Sequence, residues 1–454
     1  LLRHWPVVIC ADAFGGSDRR VKRGSDRRRG AFDCRFSLSC SAPNSQTYPA
    51  VSQKPLDLCN NAGPITRMTD TLSARQLLDH LVSFPTVSSD TNLPLIHFVR
   101  DYFAQHGIDS VVFPSEDGNK AGLVAQVGPN VAGGVALSGH SDVVPVEGQD
   151  WSTDPWQVVE KDGRLYGRGT CDMKGFVALA MEAMVKANYL DLKRPLQFAL
   201  SRDEEVGLLG APDVARGLLE NYAKADAVIV GEPTEMQVVT GHKSCDDLQF
   251  HVRGKEVHSS RLHEGVSAVM CAARFVEWVR QQNIESQAKT PTATAALYDP
   301  PFTTLHVGVI NGGTAHNITA KDCYFSIDLR CVGDDRTEDW LEKIQAQIDV
   351  IEAEMKAIDP NSFFDMHVMR GPAVVPEVEG KAEALARRLT GDNGTHTVAY
   401  GTDGGHFQAK GFSVVVCGPG SIEQAHQPDE FIELTEFQAG EAMLTRLLDS
   451  LQTA

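Results

Sequence analysis

The chain has 454 residues, 42% of them hydrophobic and 22% charged, and a formal net charge of −18. That length calls for two or three domains, and the acidity disfavours nucleic acid or an anionic membrane surface as a partner. No run of about 18 apolar residues is present to cross a bilayer.

Charge is unevenly spread. Residues 1–67 carry 11 of the 42 basic and 5 of the 60 acidic residues, so 68–454 carry 31 against 55. The basic segment holds Arg19-Arg20 and Arg27-Arg28-Arg29, is rich in Ser, Pro and Asn, and contains Cys10, Cys34, Cys40 and Cys59. It is expected to be a disordered or poorly packed extension outside the working protein, with Met68 as the natural start; a basic arm or a transit peptide are the other readings. The remaining six cysteines form no Cys-x-x-Cys pair, the pattern of reduced thiols in the cytoplasm.

The spacing of Leu77, Leu78 and Leu81 predicts a helix over 72–82, with Ser73 as N-cap and Pro85 as stop. A second helix, over 91–106, ends at Gly107. Short apolar strands are expected over 110–113, 122–127 and 135–137. The third runs into Ser138-Gly139-His140-Ser141-Asp142-Val143-Val144-Pro145, where His140 and Asp142 share a face of an extended segment. Alone, that pair is a weak signal that reads first as a satisfied loop histidine and only second as half of a metal site.

A hairpin over 158–166 turns at Asp162-Gly163. The run Gly167-Arg168-Gly169-Thr170-Cys171-Asp172-Met173-Lys174-Gly175 then precedes an apolar helix over 176–186, so Asp172 is either an N-cap or a ligand. A buried strand over 196–201 ends at Asp203-Glu204-Glu205-Val206-Gly207, three consecutive carboxylates that repel unless a cation is near. A strand over 227–230 leads to Gly231-Glu232-Pro233-Thr234.

From Asp247 the order becomes β-α-β-β-α-β: strands over 247–253, 303–310, 323–330 and 364–369, with helices over 265–281 and 336–357. This is the order of a ferredoxin-like unit. Residues 244–370 are therefore expected to be an inserted domain. The chain returns with a helix over 380–389, a strand near 396–399, a loop over 400–406 and a strand over 412–418. Gly418-Pro419-Gly420-Ser421-Ile422-Glu423-Gln424-Ala425-His426-Gln427-Pro428-Asp429-Glu430 follows, before a final helix from Thr435.

In open α/β sheets, ligands bind beyond the carboxyl ends of the strands. His140, Asp172, Glu205, Glu232 and His426 all follow apolar strands. Two imidazoles and three carboxylates suit two divalent ions such as zinc, one carboxylate bridging them. Glu204 is the spare carboxylate beside a ligand, placed to act as base on a water and as acid to a leaving nitrogen.

These four glycine- and acid-rich runs resemble the successive motifs of the M20 family of di-zinc amidohydrolases and peptidases, over essentially 68–454. Within the family the chain is most similar to the acetylornithine deacetylase branch, through the run Gly418 to Glu430 and through Tyr400-Gly401-Thr402-Asp403-Gly404-Gly405. The resemblance implies a zinc-peptidase-like α/β catalytic domain (68–243 and 371–454), a central mixed sheet flanked by helices. It also implies a ferredoxin-like α+β lid and dimerisation domain (244–370), and so a homodimer. It implies two divalent ions, zinc or cobalt. Asp172 bridges them, His140 and Glu232 complete one position, and Glu205 and His426 complete the other.

The resemblance further implies that Asp142 orients His140, that Glu204 is the general acid/base, and that His258 holds the oxyanion in a partner subunit. Asn317, Arg330, Arg370 and Thr402 fall where the family binds substrate. The implied reaction is hydrolysis of N-acetyl-L-ornithine to L-ornithine and acetate, a step of arginine biosynthesis. The alternatives are succinyl-diaminopimelate desuccinylation, aminoacylase or dipeptidase chemistry, or a non-catalytic amino-acid-binding relative. Lys243-Ser244-Cys245-Asp246-Asp247 carries an acidic pair outside the family's pattern, either a hinge or a device that tunes substrate choice.

Overall fold

The computed structural model describes residues 71–453, and the expectation for residues 1–67 lies outside them. An eight-stranded mixed sheet forms the larger layer. Its spatial order is Ser110–Pro114, Ala121–Val127, Leu196–Ser201, Val135–His140, Ala227–Val230, Val414–Val416, Val239–His242 and His396–Val398. The middle four of these strands, Leu196–Ser201 through Val414–Val416, are parallel to one another. Their carboxyl ends therefore share one edge.

The central strands are buried on both faces, as parallel strands between helices must be. Side chains alternate between two cores. Leu137, Phe198, Leu200 and Ile229 join a core with Leu77, Val99, Phe176, Met181 and Leu447. Ala136, Ala199, Val228 and Val230 join a second core with Val214, Leu218 and Phe407. The result is helix, sheet and helix in three layers.

The helix Lys174–Ala187 is almost wholly buried, which explains its apolar sequence on every side. Asp172 does not cap it: the N-cap residue is Met173, with no side-chain capping bond. Asp172 is thereby free for other partners.

A four-stranded antiparallel sheet has the order Thr304–Gly312, Asp322–Arg330, Asp246–Arg253, Phe363–Met369. With the helices Ala268–Ala288 and Thr337–Ile358 it realises the β-α-β-β-α-β order. Phe250, Phe275, Phe325, Ile344 and Phe364 fill a core of its own, with the Phe250 and Phe325 rings stacked 4.6 Å apart. The other face of this sheet alternates polar residues, including Asp247, Ser326 and Asp328.

A small third sheet matters for the site. The hairpin Val159–Lys161 and Arg164–Tyr166 turns through Asp162 and Gly163, both at positive φ, and Phe431–Glu433 pairs with Tyr166 to Arg164. This places the chain just after His426 beside the chain just before Asp172.

Local differences from the sequence reading have physical causes. The first helix begins at Ala74, because Ser73 and Gln76 form a reciprocal capping box. Residues 400–406 are not all loop, since a short helix, Gly404–Ala409, packs Phe407 under the sheet. Strand pairing over 412–418 is confined to Val414–Val416. The helix Ala211–Asn221 and the strand Val239–His242 add to the elements expected from the sequence. The helix has Pro near its start, and the strand contains a glycine and a histidine, which weakened the pattern.

Among the described residues, no helix is long and apolar enough to cross a membrane. The six described cysteines are free.

Candidate metal centre

His140 is the last residue of its strand and is 1% exposed. Its Nδ1 lies 2.9 Å from the main-chain carbonyl of Asp142. Donation there leaves Nε2 facing Asp172 Oδ1 at 3.0 Å and Glu232 Oε1 at 3.8 Å, as a donor to them when protonated and a ligand to a cation when not. The Asp142 carboxylate, expected to orient the ring, is 3.9 Å from Nδ1. It instead accepts from Ser88 Oγ (2.7 Å) and from the amides of Glu204 (3.1 Å) and Glu205 (3.4 Å). Asp142 thus ties the His140 strand end to the acidic turn on the neighbouring strand.

Of the three consecutive carboxylates, Asp203 turns away. At φ 55° it pairs with Lys120 and with Arg202, the latter at 2.7 Å. Glu204 and Glu205 face the sheet edge.

Asp172 is shared. Its Oδ1 meets His140, and its Oδ2 lies 3.4 Å from His426 Nε2, which is also 3.1 Å from Glu205 Oε2. Two sets of ligand atoms result, His140, Asp172 and Glu232, and Asp172, Glu205 and His426, each set gathered within 4.8 Å. The first set is buried; the second is more open, His426 being exposed at φ 63°.

Charge crowding is severe. Burial, reinforced by neighbouring carboxylates, holds Glu204, Glu205 and Glu232 above the usual carboxylate range. Burial pushes Asp403 up to about 6. Hydrogen bonds to Asp172 and Glu205 raise His426 to about 10. Burial pulls the His140 imidazole down, but Asp172 and Glu232 outweigh it and hold it well above its ordinary value.

The donor set fits divalent cations. Glu232 Oε1 is buried without a hydrogen-bond partner, a costly state for a carboxylate oxygen and the natural one for a ligand atom. Two imidazoles with three carboxylates suit borderline ions better than all-oxygen ions such as magnesium. Cations at the two positions would relieve the repulsion that the raised carboxylates report.

A cavity of about 410 Å³ adjoins the centre, walled by Glu204 and Glu205 on one side and by Asp247, Asp328 and Arg330 of the four-stranded sheet on the other. Arg330 pairs with Asp328 at 2.7 Å. Asp247 is the direct cross-strand partner of Asp328 and accepts from the Gln249 side-chain amide at 3.1 Å.

The other residues expected to act on substrate lie elsewhere. Arg370 is engaged by the fully buried Asp246 (2.8 Å) and by Glu338 (2.9 Å), a clamp at the join between the two sheets. Thr402 is buried, its Oγ1 3.0 Å from His242 Nε2 and accepting from the amide of Gly404. His258 is exposed and caps the turn Ser259–Glu264, its Nδ1 2.9 Å from Ser260 Oγ. Asn317 lies beside it, accepting at its carbonyl from the Ser259 amide at 2.9 Å. The acidic pair divides by strand alternation: Asp246 points into the clamp and Asp247 into the cavity.

The sequence reading gave no role to Arg168 and Glu430. Each stands four residues from a candidate ligand, Arg168 before Asp172 and Glu430 after His426, and they meet as a buried ion pair at 2.7 Å. A basic and an acidic residue at matched offsets from two ligands were the available signal.

The model of peptidase family M20/M25/M40 matches residues 136–450. Acetylornithine deacetylase of Myxococcus xanthus is 36% identical over 390 residues, covering 84% of this chain and 98% of that protein. Its counterpart in Pasteurella multocida (strain Pm70) is 30% identical over 387 residues, covering 83% and 98%. Among solved structures, an M20 family metallo-carboxypeptidase from Sulfolobus solfataricus superposes with a TM-score of 0.65 at 17% identity, covering 84% of this chain and 99% of that one.

Proposed function

The chain belongs to peptidase family M20/M25/M40 and is a metal-dependent amide hydrolase; from that premise we propose that it deacetylates N-acetyl-L-ornithine, releasing L-ornithine and acetate. The observation that carries the hydrolytic reading is the pair of ligand sets sharing Asp172, with Glu204 beside them at the cavity wall.

Divalent ions held by His140, Asp172 and Glu232, and by Asp172, Glu205 and His426, would polarise the acyl carbonyl and acidify an attacking water. We take these ions to be zinc, with cobalt as a working substitute. Glu204 accepts the water's proton as the water oxygen bonds to the acyl carbon. It returns that proton to the nitrogen as the C–N bond breaks, leaving acetate and a free amine.

The names of the relatives and the charge of the cavity support ornithine. Asp247 and Asp328 are like charges placed directly opposite, an unfavourable arrangement unless a cation is shared. Arg330 neutralises Asp328, so Asp247 is placed to receive the substrate's side-chain ammonium.

We read residues 244–370 as the lid and dimerisation domain, inserted into a catalytic domain of 68–243 and 371–454. The exposure of His258 supports a role across a homodimer, stabilising the oxyanion in the other subunit. Asn317, in contact with its segment, would follow it. Free cysteines and the relatives' names support a cytoplasmic step of arginine biosynthesis.

The test is turnover of N-acetyl-L-ornithine against N-succinyl-diaminopimelate and N-acetyl-methionine. Preference for the first supports the assignment; no turnover of it while another is cleaved rejects it.

A further inference from the structure

The turn that carries Asp172 is wrapped around a carboxylate. Glu430 is 1% exposed, yet it accepts four hydrogen bonds. Its Oε1 takes the amides of Cys171 (2.9 Å) and Asp172 (3.0 Å), and its Oε2 takes the amide of Gly169 (3.0 Å) and Arg168 Nη1 (2.7 Å). Gly169 sits at φ 83°, so three amides of one short loop can point at a single anion.

Arg168 carries the tie further. Its Nη2 donates to Gln149 Oε1 (2.6 Å), and Gln149 Nε2 donates to the carbonyl of His426 (2.9 Å). Arg168 also reaches the carbonyls of Pro145 and Gln427, both at 3.4 Å, and lies over the Trp151 ring.

Burying a carboxylate beside the carboxylates of the metal centre works against the concentration of negative charge there. It is compensated only by Arg168 and by amides that belong to the Asp172 loop. The pairing of Phe431 with Tyr166 already joins these segments, so the network is not needed simply to hold the chain together. Its hydrogen bonds run from the Asp172 amide through Glu430, Arg168 and Gln149 to the His426 carbonyl.

We propose that Arg168 and Glu430 are positioning residues that set Asp172 against His426 and thereby control the affinity of the second, more open metal position. The first position depends on them less. His140 and Glu232 stand at or just past the ends of adjacent parallel strands, His140 on Val135–His140 and Glu232 after Ala227–Val230. The second relies on His426, which is exposed on a turn and held through its main chain by Gln149.

The inference rests on the ligand assignment above, and the test separates the two. Stepwise zinc constants are measured by chelator competition, with cobalt(II) absorption as a second readout. The protein as it stands is compared with Glu430→Gln, Arg168→Lys and Gln149→Ala, and His426→Ala identifies the constant of the second position. Glu430→Gln and Arg168→Lys are expected to weaken the second constant roughly 10–100-fold while the first changes less than about threefold. Gln149→Ala leaves the buried ion pair intact and is expected to give the same selective loss at smaller size. Equal losses at both positions, or none in any variant, overturn the proposal. If the unaltered protein binds fewer than two ions, the ligand assignment falls and the proposal with it.

Discussion

His140 donates from Nδ1 to the main-chain carbonyl of Asp142, 2.9 Å away, while the Asp142 carboxylate lies 3.9 Å from that nitrogen and holds the amides of Glu204 and Glu205. One residue thus serves two strand ends, through its backbone for the histidine and its side chain for the acidic turn. Asp142→Asn is therefore expected to leave the His140 metal position close to normal. It should loosen Glu204 and Glu205, with kcat falling roughly 10–100-fold. Metal titration alongside steady-state kinetics checks this. Loss of the first metal with little change in the second would restore the carboxylate as the orienting group.

Metal binding should release protons. In the metal-free protein, hydrogen bonds to Asp172 and Glu205 keep His426 protonated up to about pH 10, and Glu205 and Glu232 also hold protons more tightly than usual. Ligation requires the unprotonated forms. Apparent affinity should rise with pH through the neutral range, roughly tenfold per unit for each proton displaced. Zinc calorimetry in buffers of different ionisation enthalpy measures the release; zero protons at pH 7 would contradict the electrostatics described.

Asp247 should govern preference and not rate. Asp247→Asn is expected to lower kcat/KM for N-acetyl-L-ornithine by roughly tenfold or more, the scale of a hydrogen bond to a charged group. It should leave N-acetyl-methionine nearly unaffected. Equal losses on both substrates would remove Asp247 from side-chain recognition.

Arg370 should be a stability residue. Arg370→Ala leaves Asp246 buried with only Thr337 Oγ1 (2.8 Å) and the Gly371 amide (3.3 Å). The Arg370 side chain is itself 37% exposed, so the cost should be about 1–3 kcal/mol, below that of a fully buried pair. Chemical denaturation should show the loss with KM nearly unchanged. A raised KM at full stability would return Arg370 to the substrate site.

The legible parts of the sequence were those governed by local period and by strand ends. Val135 to Leu137, Leu196 to Ser201 and Ala227 to Val230 read as buried strands because alternation places every second side chain in the opposite core. Their ends named His140, Glu205 and Glu232 directly. The supporting network was not legible, because it depends on partners far apart in the chain: Glu430 meets the Asp172 amide across 258 residues. Arg370 and Asp246, 124 residues apart, were hidden for the same reason. Sequence could not show that Asp142 meets the His140 ring through its main-chain carbonyl at 2.9 Å, with its carboxylate 3.9 Å away.

The most direct measurement of the central claim is metal content and turnover of Glu204→Gln together. The five proposed ligands, His140, Asp172, Glu205, Glu232 and His426, do not include Glu204, so the variant should still bind two ions per chain. Its kcat on N-acetyl-L-ornithine should fall about 10²–10⁴-fold, the contribution of a general acid/base. Two bound ions with undiminished turnover would contradict the account.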